Sequence, residues 1–504
     1  MMKNFLFTLV LALIFTSTIG QVAPDKYFVA FTDKDNSPYS IDEPLEYLSQ
    51  RAIDRRDRQG IAIDEKDLPC NPSYLQGVAQ VGVTLLNPTK WLNGVTIYTD
   101  DSVKVILILA LPYVKDVLKS PVYQPKPNFE KSFFAREASM VFSSRDIAEP
   151  GSGASYDYGN GYNQIHMLKG DELHDMGFSG EGMVIAVLDA GFTNANTIAA
   201  FDSLWDNGQI LGSWDFVNYG PMTFDQHGHG TSVLSTMGSN VPGELVGTAP
   251  HASYYLLRSE DVGSEYIVEE YNWVSAAEYA DSAGADVINS SLGYVDFDDP
   301  SQDHTYEDMD GNTTPVTIGA DIGASRGMIM VNSAGNEGNS STYPYLIAPS
   351  DGDSVVCVGA VDGNGDYASF SSKGPSSDSQ VKPDVLAQGS GTWVAFPEGF
   401  FAPSGGTSFS SPITAGMMAC LWQANQDMNN MEIIAAVQQS GSTYENPSDT
   451  LGYGIPNYVE ANNILTIIES GNTLLEENIS LYPNPFRDQI NVSFDSDSQG
   501  EYVV

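Results

Sequence analysis

Between about residues 160 and 465, short apolar runs alternate with amphipathic stretches of helical length. Four runs are almost continuously apolar, namely "MVIAVLDAG", "ADVINSSLG", "GMIMVNSAG" and "SVVCVGAV", and the helical pattern "EYNWVSAAEYADSAG" lies between the first two. Strands that are apolar on both faces and separated by helices are typical of a parallel sheet with helices on both sides. The pattern therefore predicts an α/β fold with three layers.

The rest of the chain divides into shorter segments. Residues 21–150 alternate strand patterns such as "KYFVAF" with helical runs such as "PLEYLSQRAIDRRDRQ", which predicts a small α+β domain. The stretch 148–163 is rich in Gly, Ser and Asn and predicts an exposed linker. A polar linker is predicted at 466–478, and residues 479–504 contain an alternating strand pattern after a Pro-Asn-Pro turn.

Residues 1–20 have the features of a secretory signal peptide. Lys3 precedes the apolar run "FLFTLVLALIF", and the small residues Thr18 and Gly20 precede a predicted cut after Gly20. The run is short for a membrane span, and the sequence has no later stretch of about eighteen apolar residues. We therefore expect export without membrane insertion.

Charge and cysteine content narrow the range of partners. The formal net charge is −43, and it is concentrated in residues 151–504, which carry 6 Lys and Arg against 47 Asp and Glu; residues 21–150 carry 15 against 18. So large an acidic excess argues against nucleic acid and anionic membranes as partners. The sequence has three cysteines, Cys70, Cys357 and Cys420, and no CxxC pair that would indicate a zinc site. Cys357 lies in a strand pattern and Cys420 in a helical run, where both are expected to be small buried hydrophobes, so we do not expect a catalytic cysteine.

Two polar positions have the local context of catalytic groups. Asp189 ends the apolar strand "VIAVLD", and functional groups in α/β folds gather where strands end; by itself, this residue is equally a turn former or a helix cap. His229, in "DQHGHGTSVLSTM", precedes a helical run, and an imidazole with a pKa of about 6.5 is a good general base. The spacing of His227 and His229 also suggests a metal pair, but no third ligand pattern accompanies it.

The segment "APSGGTSFSSPITAG", residues 402–416, places Gly and other small residues around Ser408 and is followed by an apolar helical pattern. Gly405 and Gly406 let a substrate backbone approach closely, and the helix start directs the Ser408 N–H at a developing oxyanion. We expect Pro412 to be tolerated because the first helical turn has no donor to lose. The alternative is a serine that caps a core helix.

Taken together, these segments resemble the subtilisin-like serine proteases, in which Asp, His and Ser occur in this order. The resemblance covers about residues 160–465 and rests on "AVLDAGF", "HGHGTSV", "NSSLGY", "NSAGNEG", "FSSKGPSSDSQVKPDVLAQGSG" and "GGTSFSSPITAG". It implies that Asp189 orients the imidazole, His229 acts as general base and acid, and Ser408 attacks the scissile carbonyl. It also implies a subtilisin-like peptidase domain over 151–465.

The same resemblance assigns groups that bind the substrate. Asn336, in "SAGNEG", would donate its side-chain amide to the oxyanion beside the backbone N–H of Ser408. The segment "SSLG" would hold an extended substrate as an added strand, and the implied substrate-binding residues are Ser291, Leu292, Gly293, Ala334 and Gly335. Without the resemblance, these segments would be interpreted as a polar turn and a strand end. The implied chemistry requires no cofactor.

The sequence departs from the common family pattern at three positions. Ala190 follows Asp189 where many relatives have Ser or Thr, and Ser232 stands where a second His is common. His227 lies two residues before the general base, where another polar residue is more usual. No triad group is lost, but a protonated His227 would oppose the charging of His229 and alter the pH behaviour.

The acidic insertion "DFDDPSQDHTYEDMDGNTT", residues 296–314, offers Asp308, Asp310 and Asn312 as candidate calcium ligands. It lacks the complete spacing of an EF-hand loop, so a solvated loop is the alternative. The prediction of a structural calcium ion in this insertion therefore rests on its acidic composition and not on a recognised motif.

Residues 21–150 fit the resemblance as a propeptide, a small ferredoxin-like domain that assists folding and blocks the site until it is cleaved. Its helix "RAIDRRDRQ" carries four arginines, Arg51, Arg55, Arg56 and Arg58. Opposite an acidic peptidase they would favour docking, although a solvated helix face is the alternative. The composition of the linker predicts the processing point within 148–158.

The ending "LYPNPFRDQINVSF" resembles the start of the sorting domain of type IX secretion in Bacteroidetes, and complete examples continue further. The whole sequence predicts a secreted, monomeric serine endopeptidase that is made as a zymogen, cleaves proteins or peptides and engages a secretion machinery. Two alternatives remain. One is a maturation protease for a specific partner, and the other is a catalytically silent surface-binding protein with the same fold.

Overall fold

The structure is a computed structural model that describes residues 22–118, 155–482 and 491–494, with side chains as far as residue 468. The predicted signal peptide lies outside these residues, as does the predicted processing region up to residue 154. The described residues form two domains that pack on each other, followed by a β-hairpin.

The first domain combines a four-stranded antiparallel sheet with three α-helices. In the sheet order β2-β3-β1-β4, the strands are β1 (Lys26–Phe31), β2 (Thr84–Thr89), β3 (Gly94–Tyr98) and β4 (Val114–Val117). The helices are α1 (Gln50–Arg58), α2 (Pro72–Gln80) and α3 (Ser102–Leu109), and each begins after a side chain that accepts a backbone N–H, respectively Ser49, Asn71 and Asp101. With α1 as an additional helix, the order is that of a ferredoxin-like fold, which confirms the predicted α+β domain.

The second domain is built on a seven-stranded parallel sheet, with strand order β13-β12-β11-β10-β5-β9-β6. Its strands are β5 (Val184–Asp189), β6 (Ile210–Asp215), β9 (Ser253–Arg258), β10 (Val287–Ser290), β11 (Ile329–Ser333), β12 (Val355–Val361) and β13 (Val385–Gln388). Two hairpins lie outside the sheet, formed by β7 (Asn240–Val241) with β8 (Leu245–Val246) and by β14 (Ser390–Ala395) with β15 (Phe401–Gly405).

Helices cover both faces of this sheet. They are α4 (Tyr162–His166), α5 (Gly170–Asp175), α6 (Asp202–Asp206), α7 (His229–Gly238), α8 (Val268–Ala283), α9 (Pro315–Ser325), α10 (Thr407–Ala424), α11 (Asn430–Gln439) and α12 (Tyr458–Asn478). Within β5, Val184 and Leu188 pack in the same cluster as Val274 of α8, whereas Val187 packs with Ile413 of α10. Alternate residues thus face opposite helix layers, which confirms the predicted three-layer α/β fold.

No helix in the part of the chain that the structure describes has both the length and the apolar composition needed to cross a membrane. Beyond the second domain, β16 (Ile479–Tyr482) and β17 (Asn491–Phe494) pair as an antiparallel hairpin. The predicted strand pattern after the Pro-Asn-Pro turn is therefore confirmed. Its assignment to a sorting domain stays a prediction.

Two segments predicted as linkers contribute to the folded domain where the structure describes them. The first was predicted at 148–163, and its described part is 155–163: Tyr158 is fully buried, its hydroxyl lies 2.8 Å from Nδ1 of His174, and α4 begins at Tyr162. The rings of Tyr158 and Tyr162 are buried with Ile165 and Val246, which the Gly-rich composition of the segment did not indicate. The second, 466–478, continues α12, because helix-forming Leu and Glu residues follow Ile464 and Ile468, which pack against the core.

The first domain docks on α8 through α1 and β2. Asp281, which is fully buried, binds Arg56 at 2.8 Å and Lys90 at 3.0 Å and also pairs with Arg55. Burial alone would raise the pKa of Asp281, but the three cations outweigh it and hold the pKa well below its ordinary value. Two further arginines, Arg51 and Arg58, reach Asp286. The predicted electrostatic docking is therefore confirmed.

The interface also carries bonds in the reverse sense. Arg326 of the second domain pairs with Asp64 at 2.9 Å and Asp67 at 3.0 Å. Glu278 accepts the backbone N–H groups of Lys90 at 2.7 Å and Trp91 at 2.9 Å, and burial raises its pKa. Each domain thus contributes both cations and carboxylates to the contact.

Candidate active site

The first part of the site lies where β5 meets α7. Asp189 ends β5 and is fully buried, and its Oδ1 accepts the N–H of Ala190 at 2.7 Å. His229 is the first residue of α7, and its Nδ1 lies 2.8 and 3.0 Å from the two carboxylate oxygens of Asp189. A proton on Nδ1 satisfies this pair, and Nε2 then carries the lone pair that a general base needs.

The start of α7 lies close enough to the end of β5 for His229 to reach Asp189. The N–H of Gly230 donates to the carbonyl of Gly191 at 3.0 Å, so the start of α7 is held against the end of β5. A Cβ on Gly230 would lie 2.6 Å from that carbonyl oxygen and 2.9 Å from Cβ of Asp189. Any other residue at position 230 would therefore push His229 away from its carboxylate.

Ser408 lies in the first turn of α10, on the same side of the sheet. The ring of its neighbour Phe409 lies 6.1 Å from the ring of His229, between centroids. The hydroxyl of Ser291 donates to the Ser408 carbonyl at 2.9 Å, and the Ser408 hydroxyl lies 3.5 Å from the Ser291 carbonyl. The structure thus brings the ends of β5 and β10 and the starts of α7 and α10 to one edge.

The reason given for tolerating Pro412 was wrong. The helix begins at Thr407, so Pro412 lies in the second turn and removes the donor that would bond the Ser408 carbonyl. The hydroxyl of Ser291 supplies the missing donor to that carbonyl. The carbonyl that the proline leaves without a backbone donor therefore links α10 to the segment that follows β10.

Asn336 is fixed by the residue before Ser408. Its Oδ1 accepts the backbone N–H of Thr407 at 3.0 Å and the Thr407 hydroxyl at 3.1 Å. That hydroxyl in turn accepts the N–H of Gly335 at 3.2 Å. With Oδ1 held in this way, Nδ2 is the atom of Asn336 that can donate to an oxyanion. Sequence reasoning missed Thr407, although its place beside Ser408 in "GGTSFSS" could have indicated it.

The predicted substrate-binding residues flank Ser408 in two segments. The first contains Ser291, Leu292 and Gly293, and the Leu292 carbonyl accepts Nδ2 of Asn332 at 3.1 Å. The second contains Ala334 and Gly335, and the Ala334 N–H donates to the Val358 carbonyl. Both segments are anchored to the sheet by strands that end beside them, so a substrate would meet two rigid walls.

Two departures from the family pattern have structural partners. His227 accepts the backbone N–H of His229 at Nδ1 over 3.4 Å, and the two rings are 6.3 Å apart between centroids. Ser232 donates its hydroxyl to the carbonyl of Ala395 at 3.1 Å, which ties α7 to β14. The effect of His227 on the pH behaviour of His229 stays a prediction.

The predicted calcium candidates are engaged in local hydrogen bonds. Asp308 accepts the N–H of Thr305, and Asp310 accepts the N–H of Asn312 at 2.9 Å. Among the residues that the structure describes, another group could hold a metal ion, because the buried carboxylates of three glutamates lie within 4.8 Å of one another: Glu260, Glu265 and Glu269. Burial and the charges of Glu269 and Glu265 raise the pKa of Tyr294, whose hydroxyl donates to Glu260 at 2.9 Å.

Two family models match this chain. The subtilase family model matches residues 180–454, and the Bacteroidota peptidase S8 propeptide model matches 26–132. Subtilisin DY of Bacillus licheniformis is 29% identical over 295 residues, which cover 58% of this chain and 93% of that protein. Subtilisin E of Bacillus subtilis (strain 168) is 30% identical over 297 residues, which cover 58% of this chain and 69% of that protein.

Among solved structures, the prenylagaramide maturation protease PagA aligns with a TM-score of 0.46 at 20% identity, over 59% of this chain and 98% of that one. The subtilase model spans more than half of the chain and includes Asp189, His229 and Ser408. The chain therefore belongs to the subtilase family of serine peptidases and carries an S8 propeptide domain ahead of its peptidase domain.

Proposed function

We propose that the protein is a secreted serine endopeptidase that works through Asp189, His229 and Ser408 and is made as a zymogen. The observation that carries this proposal is the contact of Nδ1 of His229 with both carboxylate oxygens of Asp189. This contact fixes the tautomer in which Nε2 can accept a proton.

In the proposed mechanism, His229 removes the hydroxyl proton of Ser408 as the serine oxygen bonds to the scissile carbonyl carbon. The carbonyl electron pair moves to the oxygen, which accepts hydrogen bonds from the Ser408 N–H and Nδ2 of Asn336. Collapse of this intermediate breaks the C–N bond, and His229 returns its proton to the leaving amine. Water then hydrolyses the acyl-enzyme by the same steps, with His229 again as base. Every proton transfer uses a protein side chain, and no cofactor is required.

The two-domain contact supports the zymogen part of the proposal. A first domain held by buried charges at Asp281 and Glu278 would stay docked on the peptidase domain until the chain is cut. Tyr158 is fully buried among the aromatic residues of the peptidase domain, which favours a cut before residue 155 over one at 155–158. The proposed processing point is therefore within 148–154.

Export and partners are also proposals. We propose that residues 1–20 are a signal peptide and that residues 479–504 begin a type IX sorting domain engaged by a secretion machinery. The proposed substrates are proteins or peptides, and the proposed state of the mature enzyme is a monomer. A structural calcium ion remains a proposal for the 296–314 insertion and for the cluster of Glu260, Glu265 and Glu269.

Loss of one hydroxyl tests the function. The wild-type chain, Ser408→Ala and the matched control Ser410→Ala would be expressed at full length and assayed for casein hydrolysis and for release of the propeptide. We expect Ser408→Ala to lose at least about 10³-fold in hydrolysis and to stay uncut, whereas Ser410→Ala behaves as wild type. Undiminished hydrolysis by Ser408→Ala would overturn the proposal.

A further inference from the structure

We propose that this peptidase prefers Gly, Ala or Ser at the residue whose carbonyl Ser408 attacks, because Ile347 fills the pocket for that residue's side chain. The inference rests on the proposed function and adds a substrate class to it. It follows from how Ile347 packs between the two segments predicted to bind substrate, 291–293 (the first wall) and 334–336 (the second wall).

The position of the pocket follows from the two walls. The Ser291 hydroxyl ties the first wall, 291–293, to the Ser408 carbonyl, and the Gly335 N–H ties the second wall, 334–336, to Thr407. If a substrate carbonyl lies against Ser408, the side chain of the residue that carries it enters the gap between these walls. Each wall presents a glycine to that gap, so the gap could hold a large side chain if nothing else occupied it.

Ile347 occupies the gap. Its Cδ1 and Cγ1 atoms lie 2.3 and 2.4 Å from the position that a Cβ on Gly293 would take. The same two atoms lie 3.0 Å from the corresponding position on Gly335. The isoleucine side chain therefore contacts both glycines at once, and it is only 2% exposed. A branched hydrocarbon group fills the space between the walls.

The backbone around Ile347 is held on both sides. Its carbonyl accepts the N–H of Ser350 at 2.9 Å, and the carbonyl of Ala348 accepts the N–H of Tyr294 at 2.9 Å. On the other side, the Leu346 N–H donates to the carbonyl of Lys373 at 2.8 Å. Moving Ile347 out of the gap would disturb the bond between Ala348 and Tyr294, the residue that follows the first wall. Its β-branched side chain also has few rotamers to adopt.

Space beside the second wall is limited as well. The hydroxyl oxygen of Ser372 lies 2.8 Å from the position of a Cβ on Gly335, and the Ser372 N–H donates to the Gly335 carbonyl at 2.9 Å. A Leu, Phe or Tyr side chain would overlap both Ile347 and this hydroxyl. A methyl or hydroxymethyl group needs no such space.

Substrate preference tests the inference. Tetrapeptide p-nitroanilides that differ only in Ala, Leu or Phe at the last residue would be cleaved by matured wild type, Ile347→Ala and Ile433→Ala. Active sites would be counted with a fluorophosphonate. Ile433 is a matched control because it is an equally buried isoleucine in α11, away from the walls. We expect wild type to favour Ala over Phe by at least about 10-fold in kcat/KM, and Ile347→Ala to shift that ratio towards Phe by at least about 10-fold. Ile433→Ala keeps the wild-type ratio.

The outcomes separate the inference from the proposed function. Enzyme that the fluorophosphonate labels but that cleaves Phe as well as Ala, or cleaves neither, overturns the inference and leaves the nucleophile in place. An Ile347→Ala ratio equal to that of wild type overturns it too. Absence of labelling overturns the proposed function instead. If Ile347→Ala does not fold, the wild-type ratio and that of Ile347→Val decide.

Discussion

Asp189 and Asp281 are both fully buried carboxylates, but their surroundings differ in kind. Asp189 contacts the imidazole of His229, whereas Asp281 binds two guanidinium groups and the ammonium group of Lys90. An imidazole gains and loses a proton near neutral pH, whereas guanidinium groups stay protonated. The partner therefore decides what each carboxylate can do: the pair with an imidazole can take part in proton transfer, and the group with guanidinium and ammonium partners can only bind.

The largest effect is expected where the partner must change protonation. Asp189→Asn removes the charge that stabilises the imidazolium and presents an amide that can favour the wrong tautomer of His229. We expect kcat of the matured enzyme to fall by about 10⁴-fold, the loss known for the equivalent change in another serine protease. Steady-state kinetics on a peptide substrate would measure it, with Asp281→Asn in α8 as the control substitution of a carboxylate outside the site. A fall below 10-fold would mean that Asp189 is not coupled to catalysis.

Replacing Asp281 should weaken propeptide binding and leave kcat nearly unchanged, the opposite of the effect expected at Asp189. Asp281→Ala leaves three buried cations without their shared partner, and such a loss costs about 3–5 kcal/mol. We expect the propeptide to bind the processed enzyme about 10²–10⁴-fold more weakly, with kcat changed little. Retention of the propeptide on size exclusion after processing would measure the change. The control is Asp261→Ala, whose carboxylate is 43% exposed. Equal retention of the propeptide by the Asp281→Ala and Asp261→Ala proteins would contradict this account.

These two carboxylates also differ in how well the sequence indicated them. Asp189 follows an apolar strand, and its motif could be recognised together with those of His229 and Ser408. The four arginines of α1 indicated docking, but Asp281 lies within an ordinary helical pattern. Its three partners converge from two propeptide segments, and such convergence depends on tertiary packing that no local pattern encodes.

The same limit applies to the site and to the linkers. Nothing in the sequence pairs Ser291 with the carbonyl that Pro412 leaves without a backbone donor, because the two segments are far apart in the chain. The closing of the gap by Ile347 depends on side-chain packing between two loops. Tyr158 lies in a stretch whose composition is that of a linker, yet its ring is buried. Local composition identified the elements, but contacts between distant segments decided how they are used.

His174 is a buried imidazole outside the site, and no carboxylate among the residues that the structure describes bonds to either of its ring nitrogens. Burial lowers the pKa of His174 to about 4, and Tyr158 and the carbonyl of Thr248 bind its two ring nitrogens. Because its unfolded pKa is about 6.5, the unfolded chain binds more protons between these values, and stability is lost as the pH falls through that window. We expect this group to cost about 2 kcal/mol of unfolding free energy between pH 7 and pH 5.

Urea unfolding at the two pH values would measure this loss. The His174→Gln variant should be less stable at pH 7 but should lack this part of the pH dependence. Equal pH dependence in both proteins would show that His174 does not titrate on unfolding.

The smallest effect is expected at the edge of the docking surface. Arg58 lies 3.8 Å from Asp286, and its side chain is 33% exposed, so water screens the pair. We expect Arg58→Ala to weaken propeptide binding by less than about 5-fold, because exposed pairs contribute at most about 1 kcal/mol. The same retention assay measures it. A loss as large as that of Asp281→Ala would contradict the distinction between buried and exposed pairs.

The central claim is that His229, oriented by Asp189, activates the hydroxyl of Ser408 and no other. Mass-spectrometric mapping of a fluorophosphonate adduct, with its rate of formation in wild type and in His229→Ala, tests it most directly. The account predicts a single adduct on Ser408 that forms at least about 10³-fold more slowly without the imidazole. An adduct on Ser410 or Ser411, or an equal rate in His229→Ala, would contradict it.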